Sequence, residues 1–264
     1  MSAKDSIKET KARESTSISC YLIASDINKD VISCLWNAGF SLNFAALKNG
    51  EMDKKPVIIL GAKGIGPSVA EIFKSNQVEV FCFLDDDKSM HGTEIDYISV
   101  LGNTDDDGFL KYIGKKCDAF VAEDNMKARK KMVNLLNDRR KVMPANALHA
   151  HSIVSDSAHL GYGNFVDARV VVGANAKVPN HCILHAGAII EYNVELGDFV
   201  QVGAGSQINS GVVVGEETFI GSGVTIVAGV KIGKKANIGA GSVVIRDVKD
   251  GETVFGNPAE AIKL

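Results

Sequence analysis

A period of six residues runs without interruption through the second half of the chain and limits its possible folds more than any other feature. Counting by six from Val154 to Val244 gives sixteen positions, and each of them is aliphatic. This period matches neither the 3.6-residue repeat of a helix nor the alternation of a flat strand, so a helix bundle is excluded. The pattern predicts a β-helix solenoid in which each hexapeptide forms one face of a three-sided coil.

The residues around each aliphatic position indicate how the coil packs. The aliphatic side chain is predicted to point inward, and a small or β-branched residue two positions earlier fills the narrow interior. Glycine is the commonest residue directly after the aliphatic position, as at Gly203 and Gly221, and we expect it to supply a positive φ at the corner. The solenoid should be roughly 25 Å tall at ~4.8 Å per coil. The spacing alone leaves the handedness open.

The amino-terminal half contains one predicted βαβ unit. A short apolar run, Val57–Leu60, leads into the glycine-rich segment Gly61–Pro67, which is followed by a helical pattern and a second apolar run, Val78–Leu84. Glycines at the start of a helix let backbone N–H groups approach an anion at the positive end of the helix dipole. Asp85 follows the second run, 24 residues after Gly61, about where a ribose-binding carboxylate belongs.

The glycine spacing, G-x-x-G-x-G, differs from the dinucleotide pattern G-x-G-x-x-G. A nicotinamide site is therefore disfavoured, and an ordinary tight turn stays open as an alternative to an anion-binding turn. Ala119–Ala122 is predicted to add a third parallel strand. Asn125–Arg140 is interpreted as a basic amphipathic helix that covers the sheet, in preference to a nucleic-acid-binding helix.

These patterns predict an α/β amino-terminal Rossmann-like domain followed by an all-β carboxy-terminal β-helix of hexapeptide repeats. Residues 1–15 are predicted to be a disordered tail, 16–50 an additional βα(β) segment, 51–144 the Rossmann-like domain and 145–264 the β-helix.

Composition excludes several classes of protein. A net charge of −3 gives no bulk attraction to nucleic acid or anionic lipid. No apolar run approaches the ~20 residues of a membrane span, and the polar start, Met1 to Ser15, is not expected to be a secretory signal. Five scattered cysteines without C-x-x-C spacing indicate free buried thiols, with neither a disulfide framework nor a zinc site. A cytoplasmic protein without a bound metal is expected.

The solenoid resembles a known superfamily. Uninterrupted hexapeptides closed by the tail Val254-Phe255-Gly256-Asn257-Pro258-Ala259 look like those of the left-handed β-helix acyltransferases. The resemblance implies a left-handed coil, a homotrimer, and acetyl-CoA bound in the groove between neighbouring solenoids. A solenoid that only assembles or binds is the alternative, because hexapeptides specify a scaffold and not a reaction.

With the Rossmann-like domain in front, the chain from about Pro56 to Ile262 is similar to the bacterial sugar acetyltransferases of the sialic-acid O-acetyltransferase type. That group includes enzymes that acetylate the 4-amino group of UDP-linked trideoxy sugars. The resemblance implies a nucleotide-sugar or amino-sugar substrate. The substrate-binding positions that it implies are Gly61, Lys63, Gly64, Ile65, Asp85 and Asp86.

Two positions of this domain depart from the family pattern. Ile65 replaces a frequent histidine, and Glu123-Asp124 replaces a small glycine-containing pair before the basic helix. An acidic pair would repel a diphosphate if it faced the pocket, which casts doubt on the nucleotide.

The catalytic positions depart further. In the family a histidine deprotonates the sugar amine or hydroxyl, and the matching residue here is Tyr192, with Asn193 where an acidic partner is often found. A second family histidine, which contacts acetyl-CoA, is matched by Gln201. A phenol of pKa about 10 is roughly one part in 10³ ionised at pH 7, whereas histidine is largely neutral and basic. Tyr192 is therefore a poor general base, and His185, at the corner after Leu184, is the other candidate.

The positions that bind acetyl-CoA in the family match the family pattern better than the catalytic positions do. Glycines keep the corners slim, as a pantetheine arm in the groove requires. The resemblance implies Gln201, Ser222 and Ala240 as cofactor-binding positions. Arg246, near the last coil, is expected to meet the CoA phosphates, with ordinary surface charge as the alternative.

Three functions are compatible with the sequence. The favoured one is an acetyl-CoA-dependent acetyltransferase that acts on a nucleotide-linked amino sugar. The loss of both family imidazoles motivates the second, a catalytically silent trimer that binds ligands or serves as a scaffold. The altered sugar-domain pocket motivates the third, an acyltransferase with another acyl donor or a non-sugar acceptor.

Overall fold

A computed structural model describes residues 54–262 of the chain. The predicted tail at 1–15 and the predicted βα(β) segment at 16–50 lie outside the described residues, so they stay predictions. From Lys54 onward the chain is one compact unit.

The amino-terminal part is a five-stranded sheet with helices on both faces. Its elements are β1 (Val57–Leu60), α1 (Gly66–Ser75), β2 (Val80–Leu84), β3 (Glu94–Ile95), β4 (Ile98–Gly102), α2 (Asp107–Leu110), β5 (Asp118–Val121) and α3 (Met126–Arg140). The strand order is β3-β4-β2-β1-β5, parallel except for the β3–β4 pair. The predicted βαβ unit, third strand and basic helix are confirmed within two residues, whereas the hairpin β3–β4 and the short helix α2 were not predicted.

Both faces of β1 are buried, which explains why its sequence is continuously apolar. Val57 and Ile59 pack into the cluster that contains the apolar side chains of α1. Ile58 and Leu60 pack into the opposite cluster, which contains those of α3. The basic residues of α3 therefore lie on a helix that covers the sheet, as the sequence predicts.

The carboxy-terminal part is a β-helix with three faces, here called sheets I, II and III. Sheet I contains β6 (Ala147–Leu148), β9 (Phe165–Val166), β12 (Ile183–Leu184), β15 (Gln201–Val202), β18 (Phe219–Ile220), β21 (Asn237–Ile238), β23 (Thr253–Phe255) and β24 (Glu260–Ala261). Sheet II contains β7 (Ile153–Val154), β10 (Val171–Val172), β13 (Ile189–Ile190), β16 (Gln207–Ile208), β19 (Thr225–Ile226) and β22 (Val243–Val244). Sheet III contains β8 (His159–Leu160), β11 (Lys177–Val178), β14 (Glu195–Leu196), β17 (Val213–Val214) and β20 (Lys231–Ile232).

The inward positions of the solenoid agree with the predicted core. From Val166 to Val244 every sixth residue is buried, with at most 6% of its surface exposed. The first two positions, Val154 and Leu160, are half-buried and pack against the same core at its end. The small residues two positions earlier are buried as well, and where they are polar they bond to the backbone, as Ser206 Oγ does to the carbonyl of Gly221 at 2.8 Å.

The corners correct one physical expectation. Positive φ falls on the third residue after the inward aliphatic side chain, so that after Val202 it is Gly205 that has a φ of +67°. Gly203, directly after Val202, is not among the positive-φ residues, and a Cβ atom there would meet the backbone nitrogen of Ser222 at 2.4 Å. The expectation of positive φ at the first position is wrong. Glycine is required there because successive coils stack closely.

The α/β domain rests on the first coils of sheet I. Phe165 and Ile183 occupy outward positions of this sheet, yet both are buried in the cluster that contains the apolar residues of α1. Farther along, Lys130 of α3 forms an ion pair with Glu217 at 2.5 Å and lies over the ring of Phe199. Helix α3 is thereby held against the edge between sheets III and I.

Candidate active site

The glycine-rich turn after β1 is closely packed. A Cβ atom on Gly61 would meet the carbonyl oxygen of Ala122 at 2.2 Å, and one on Gly66 would meet the carbonyl oxygen of Gly61 at 2.5 Å. Gly64 has a φ of +54°, and a Cβ atom there would meet Oδ2 of Asp124 at 2.0 Å. The turn therefore needs glycine for close approach, and a carboxylate from the β5–α3 loop lies directly against it.

The acidic residues after β2 hold this turn and its surroundings. Asp85 accepts hydrogen bonds from the backbone N–H groups of Ala62 at 2.9 Å and Asp87 at 2.8 Å. Asp86 accepts bonds from the backbone N–H and the hydroxyl of Thr104. The predicted substrate-binding roles of Asp85 and Asp86 stay predictions, and both residues also have a structural role.

Lys63 and Ile65 are two further predicted positions of the turn, one exposed and one buried. Lys63 forms an ion pair with Asp87, and both side chains are exposed. Ile65 is buried and is the N-cap residue of α1, to which its side chain gives no capping hydrogen bond. The Ile65 side chain therefore leaves the free N–H groups of the first turn of α1 unbonded. These groups can bind an anion or another hydrogen-bond acceptor.

His185 lies where sheet I turns into sheet II, beside Phe165, which is buried in the same cluster as Ile65 of the glycine-rich turn. Its Nε2 is 3.1 Å from Nε2 of Gln201, and its ring meets that of Phe165 edge-on at 6.2 Å. Because the Gln201 amide nitrogen is a donor only, His185 Nε2 accepts this bond and Nδ1 carries the ring proton. Burial lowers the pKa of the His185 imidazole below its ordinary value, while Asp124 and Asp167 oppose that effect. His185 is therefore neutral at pH 7 and has a basic nitrogen.

Several predicted residues lie on the edge between sheets I and II, here called the His185 edge. Each coil donates a backbone hydrogen bond to the corner of the coil before it, as Gly205 does to Ala186 and Gly241 to Ser222. The predicted cofactor-binding residues Ser222 and Ala240 are exposed at successive corners of this edge.

Tyr192 lies on a different edge, between sheets II and III, here called the Tyr192 edge. Gly211 donates a backbone bond to the Tyr192 carbonyl, and Arg246 follows β22 at the corresponding corner of a later coil. The Tyr192 side chain is 54% exposed. Arg246 is exposed as well, and its Nη2 lies 3.9 Å from Oε1 of Glu260. Within one chain the structure does not bring Tyr192 and His185 together, because β13 separates their edges.

Sequence reasoning missed one residue near the candidate site. Arg129 of α3 is 2% exposed, and its Nη1 donates to the carbonyl oxygens of Glu123 at 2.9 Å and Asp124 at 3.3 Å. Burial lowers the pKa of this guanidinium to about 10. Within residues 54–262 no partner is found for its Nε and Nη2. In the sequence it is one of several basic residues of a helix, and nothing there distinguishes it.

Among residues 54–262 no group of three or more His, Cys, Asp or Glu side chains is placed to hold a metal ion. Cys82, Cys117 and Cys182 are free and buried, and burial raises the pKa of each thiol. No helix in the described part of the chain is long and apolar enough to cross a membrane.

The fold and the edge residues define the class as a hexapeptide-repeat transferase with an amino-terminal α/β domain. Two family models match the chain. The PglD N-terminal domain matches residues 56–136, and the bacterial transferase hexapeptide (six repeats) matches residues 193–228 and 211–246. No curated protein matches significantly.

Solved structures extend the likeness over both domains. A variant of GDP-perosamine N-acetyl transferase from Caulobacter crescentus, in complex with CoA and GDP-perosamine, is 30% identical with a TM-score of 0.72, covering 79% of this chain and 97% of that chain. The acetyltransferase domain of PglB from Neisseria gonorrhoeae, in complex with acetyl coenzyme A, is 27% identical with a TM-score of 0.72, covering 79% and 100%. WeeI from Acinetobacter baumannii, at 23% identity, a TM-score of 0.70 and coverage of 78% and 99%, shares the fold.

This chain belongs to the bacterial sugar acetyltransferases of the hexapeptide-repeat superfamily, and its solenoid is a left-handed β-helix.

Proposed function

We propose that the protein is an acetyl-CoA-dependent acetyltransferase that acts on a nucleotide-linked amino sugar. The observation that carries the proposal is the convergence of the glycine-rich turn and the His185 edge, because Ile65 of the turn shares a buried cluster with Phe165, whose ring meets that of His185. The Caulobacter crescentus enzyme, which has the same two domains, binds CoA and GDP-perosamine.

The His185 edge fits the acyl donor. At Gly205, Gly223 and Gly241 an added Cβ atom meets nothing within 4 Å, so this edge is open to solvent along successive coils. Such a slim, open edge has room for a pantetheine arm beside Ser222 and Ala240. Acetyl-CoA supplies the acetyl group as a thioester, and positioning an amine against it contributes several kcal/mol to the rate.

His185 is the proposed general base. It is half-buried and neutral at pH 7, and its Nε2 already accepts a hydrogen bond from an N–H donor, Gln201 Nε2. The neutral amine of the acceptor takes the place of that donor, attacks the thioester carbonyl and gives a proton to Nε2. The C–S bond then breaks, and the CoA thiolate takes this proton and leaves as the free thiol. Within the described residues of one chain, the phenol of Tyr192 is exposed and has no imidazole partner, which favours His185 over Tyr192 as the base.

A homotrimer completes the proposed site. The His185 edge and the Tyr192 edge flank sheet II, whose outward positions include the apolar residues Ile153, Val171, Ile189 and Val243. A neighbouring copy packed against this apolar face would bring its own Tyr192 edge toward the His185 edge. In this arrangement Tyr192 and Arg246 reach the bound donor from the second copy.

The test is turnover with matched variants. The protein is incubated with acetyl-CoA and a panel of amino-sugar nucleotides, including GDP-perosamine and UDP-4-amino sugars, while free CoA thiol is followed. We expect His185→Gln to lower kcat by roughly 100-fold or more. His159→Gln, which alters an exposed histidine on sheet III, should leave kcat unchanged, and Tyr192→Phe should retain most of the activity. No turnover across the panel counts against the enzyme, and loss in Tyr192→Phe alone reverses the assignment of the base.

The catalytically silent homologue is the second candidate, because Tyr192, Asn193 and Gln201 stand at the family's catalytic and donor-contacting positions. It predicts calorimetric binding of acetyl-CoA and of sugar nucleotides with no release of thiol. Turnover by the wild-type protein would end this candidate.

A further inference from the structure

The two acidic residues that precede α3 have separate roles. Glu123 turns toward the helix, where its Oε1 accepts a hydrogen bond from the backbone N–H of Asn125 at 2.8 Å. Asp124 instead directs its carboxylate at the glycine-rich turn, against Gly64. Only one member of the pair therefore faces the proposed acceptor pocket.

Arg129 fixes the position of this loop without neutralising the carboxylate by direct contact. Its Nη1 binds the carbonyl oxygens of Glu123 and Asp124, and no ion pair between Arg129 and Asp124 is found within residues 54–262. Arg129 is almost fully buried, so it holds the loop from the side of α3 that faces the protein interior.

The charges around His185 come from three elements. Asp124 of the β5–α3 loop and Asp167 of the preceding coil favour the charged imidazole, and Arg129 of α3 disfavours it. Lys63, the cation of the glycine-rich turn, is paired with Asp87. Neither Asp124, which lies against Gly64, nor Asp167 is in a direct ion pair in the described part of the chain.

Resting on the proposed function, we propose that Asp124 is a specificity-determining residue that receives the ammonium group of the acceptor and disfavours a phosphate against Gly64. A carboxylate within a few ångströms attracts a cation and repels a phosphate, and partial burial strengthens both effects. The ammonium group bound at Asp124 loses one proton to solvent through His185 Nε2, which leaves a neutral amine and a neutral His185. The diphosphate of a nucleotide sugar then lies away from Gly64.

Binding measurements on the whole chain test this role without requiring turnover. Calorimetry compares GDP-perosamine, the matching GDP-sugar with a hydroxyl in place of the amine, and GDP, each with the wild type and with Asp124→Asn and Asp124→Gly. We expect both variants to lower the ratio of amine to hydroxyl affinity by about tenfold and to bind GDP more tightly. Asp138→Asn, which removes an exposed carboxylate near the other end of α3, should change neither quantity.

A second measurement reports on Asp124 in the free protein. Because the Asp124 carboxylate favours the charged imidazole, NMR titration should show a lower pKa for His185 in Asp124→Asn than in the wild type. An unchanged affinity ratio overturns the proposal even if acetyl transfer proceeds. A tenfold change in that ratio without any acetyl transfer supports the role of Asp124 and removes the proposed enzyme. Absence of binding by all three ligands overturns the proposal together with its substrate class.

Discussion

Two groups of coils in the same solenoid differ in how many of their faces are buried. On sheet I, Phe165 and Ile183 lie under the α/β domain and are fully buried. Phe219 occupies the equivalent outward position three coils after Phe165 and is 44% exposed. The same position on the same sheet therefore has two environments, which are set by a domain that precedes the solenoid in sequence.

The bare coils are a regular scaffold, and the proposed base His185 lies in the covered coils. In the bare coils each hexapeptide buries one aliphatic residue, and corner residues are free to vary. In the covered coils His181 and His185 are at least half-buried, and the buried Arg129 faces them from α3. Burial shifts the pKa of both histidines, so the residues suited to proton transfer lie where the repeat meets another domain.

The largest effect is expected from truncating the covered phenylalanine. Phe165→Ala should lower the free energy of unfolding by about 3–5 kcal/mol, because it leaves a cavity between α1 and sheet I. Phe219→Ala removes the same group from a partly exposed position and should cost at most about 1 kcal/mol. Urea denaturation of both variants measures the difference. Equal losses would mean that the α/β domain does not cover Phe165 in solution.

A pair of glycines in one bare corner should give the next largest effect. Gly203→Ala places a Cβ atom 2.4 Å from the backbone of the next coil, and we expect it to cost about 3 kcal/mol. The Cβ atom of Gly205→Ala lies in open space, so this variant should lose only the free energy of holding alanine at a left-handed φ, about 1 kcal/mol. If thermal unfolding ranks Gly205→Ala as the more damaging change, close stacking of coils is not what requires glycine at Gly203.

The sequence predicts the bare coils almost completely, because one strict period determines both the faces and the core. It also predicts β1, the glycine-rich turn and α3, whose patterns are local. The prediction that the corner glycines supply a positive φ was wrong. They are required by the stacking of successive coils, which brings together residues about eighteen positions apart and leaves no local signal in the sequence. The short hairpin β3–β4 was missed because strands of two and five residues give too little alternation to count.

The candidate site was only partly predictable, for a physical reason. His185, Gln201 and Asp124 were each considered from the sequence, but the position of Asp124 relative to the other two depends on how the α/β domain rests on sheet I. Arg129 was missed because a buried arginine and an exposed one look alike in a basic helix. The assignment of His185 and Tyr192 to different edges follows from their coil corners, and the roles of both residues stay proposals.

The smallest effect is expected in the pH dependence of stability, which we compare between the buried His181 and the exposed His159. Burial lowers the pKa of His181 to about 4, against about 6.5 in the unfolded chain. Between these values the unfolded state binds more protons, so stability rises with pH and is lost as pH falls from 6.5 toward 4. His181→Asn, which tolerates the left-handed φ of this position, should remove about 2 kcal/mol of that loss.

The measurement is the free energy of unfolding at pH 7, 5.5 and 4 for the wild type, His181→Asn and His159→Asn. His159 is exposed on sheet III, so its variant should follow the wild-type curve. The two variants share the same chemical change, but His181 is buried at a corner with a φ of +59°, whereas His159 is exposed on a strand of sheet III. Parallel curves for all three proteins would show that His181 titrates as an exposed residue, and that the covered coils are open to water.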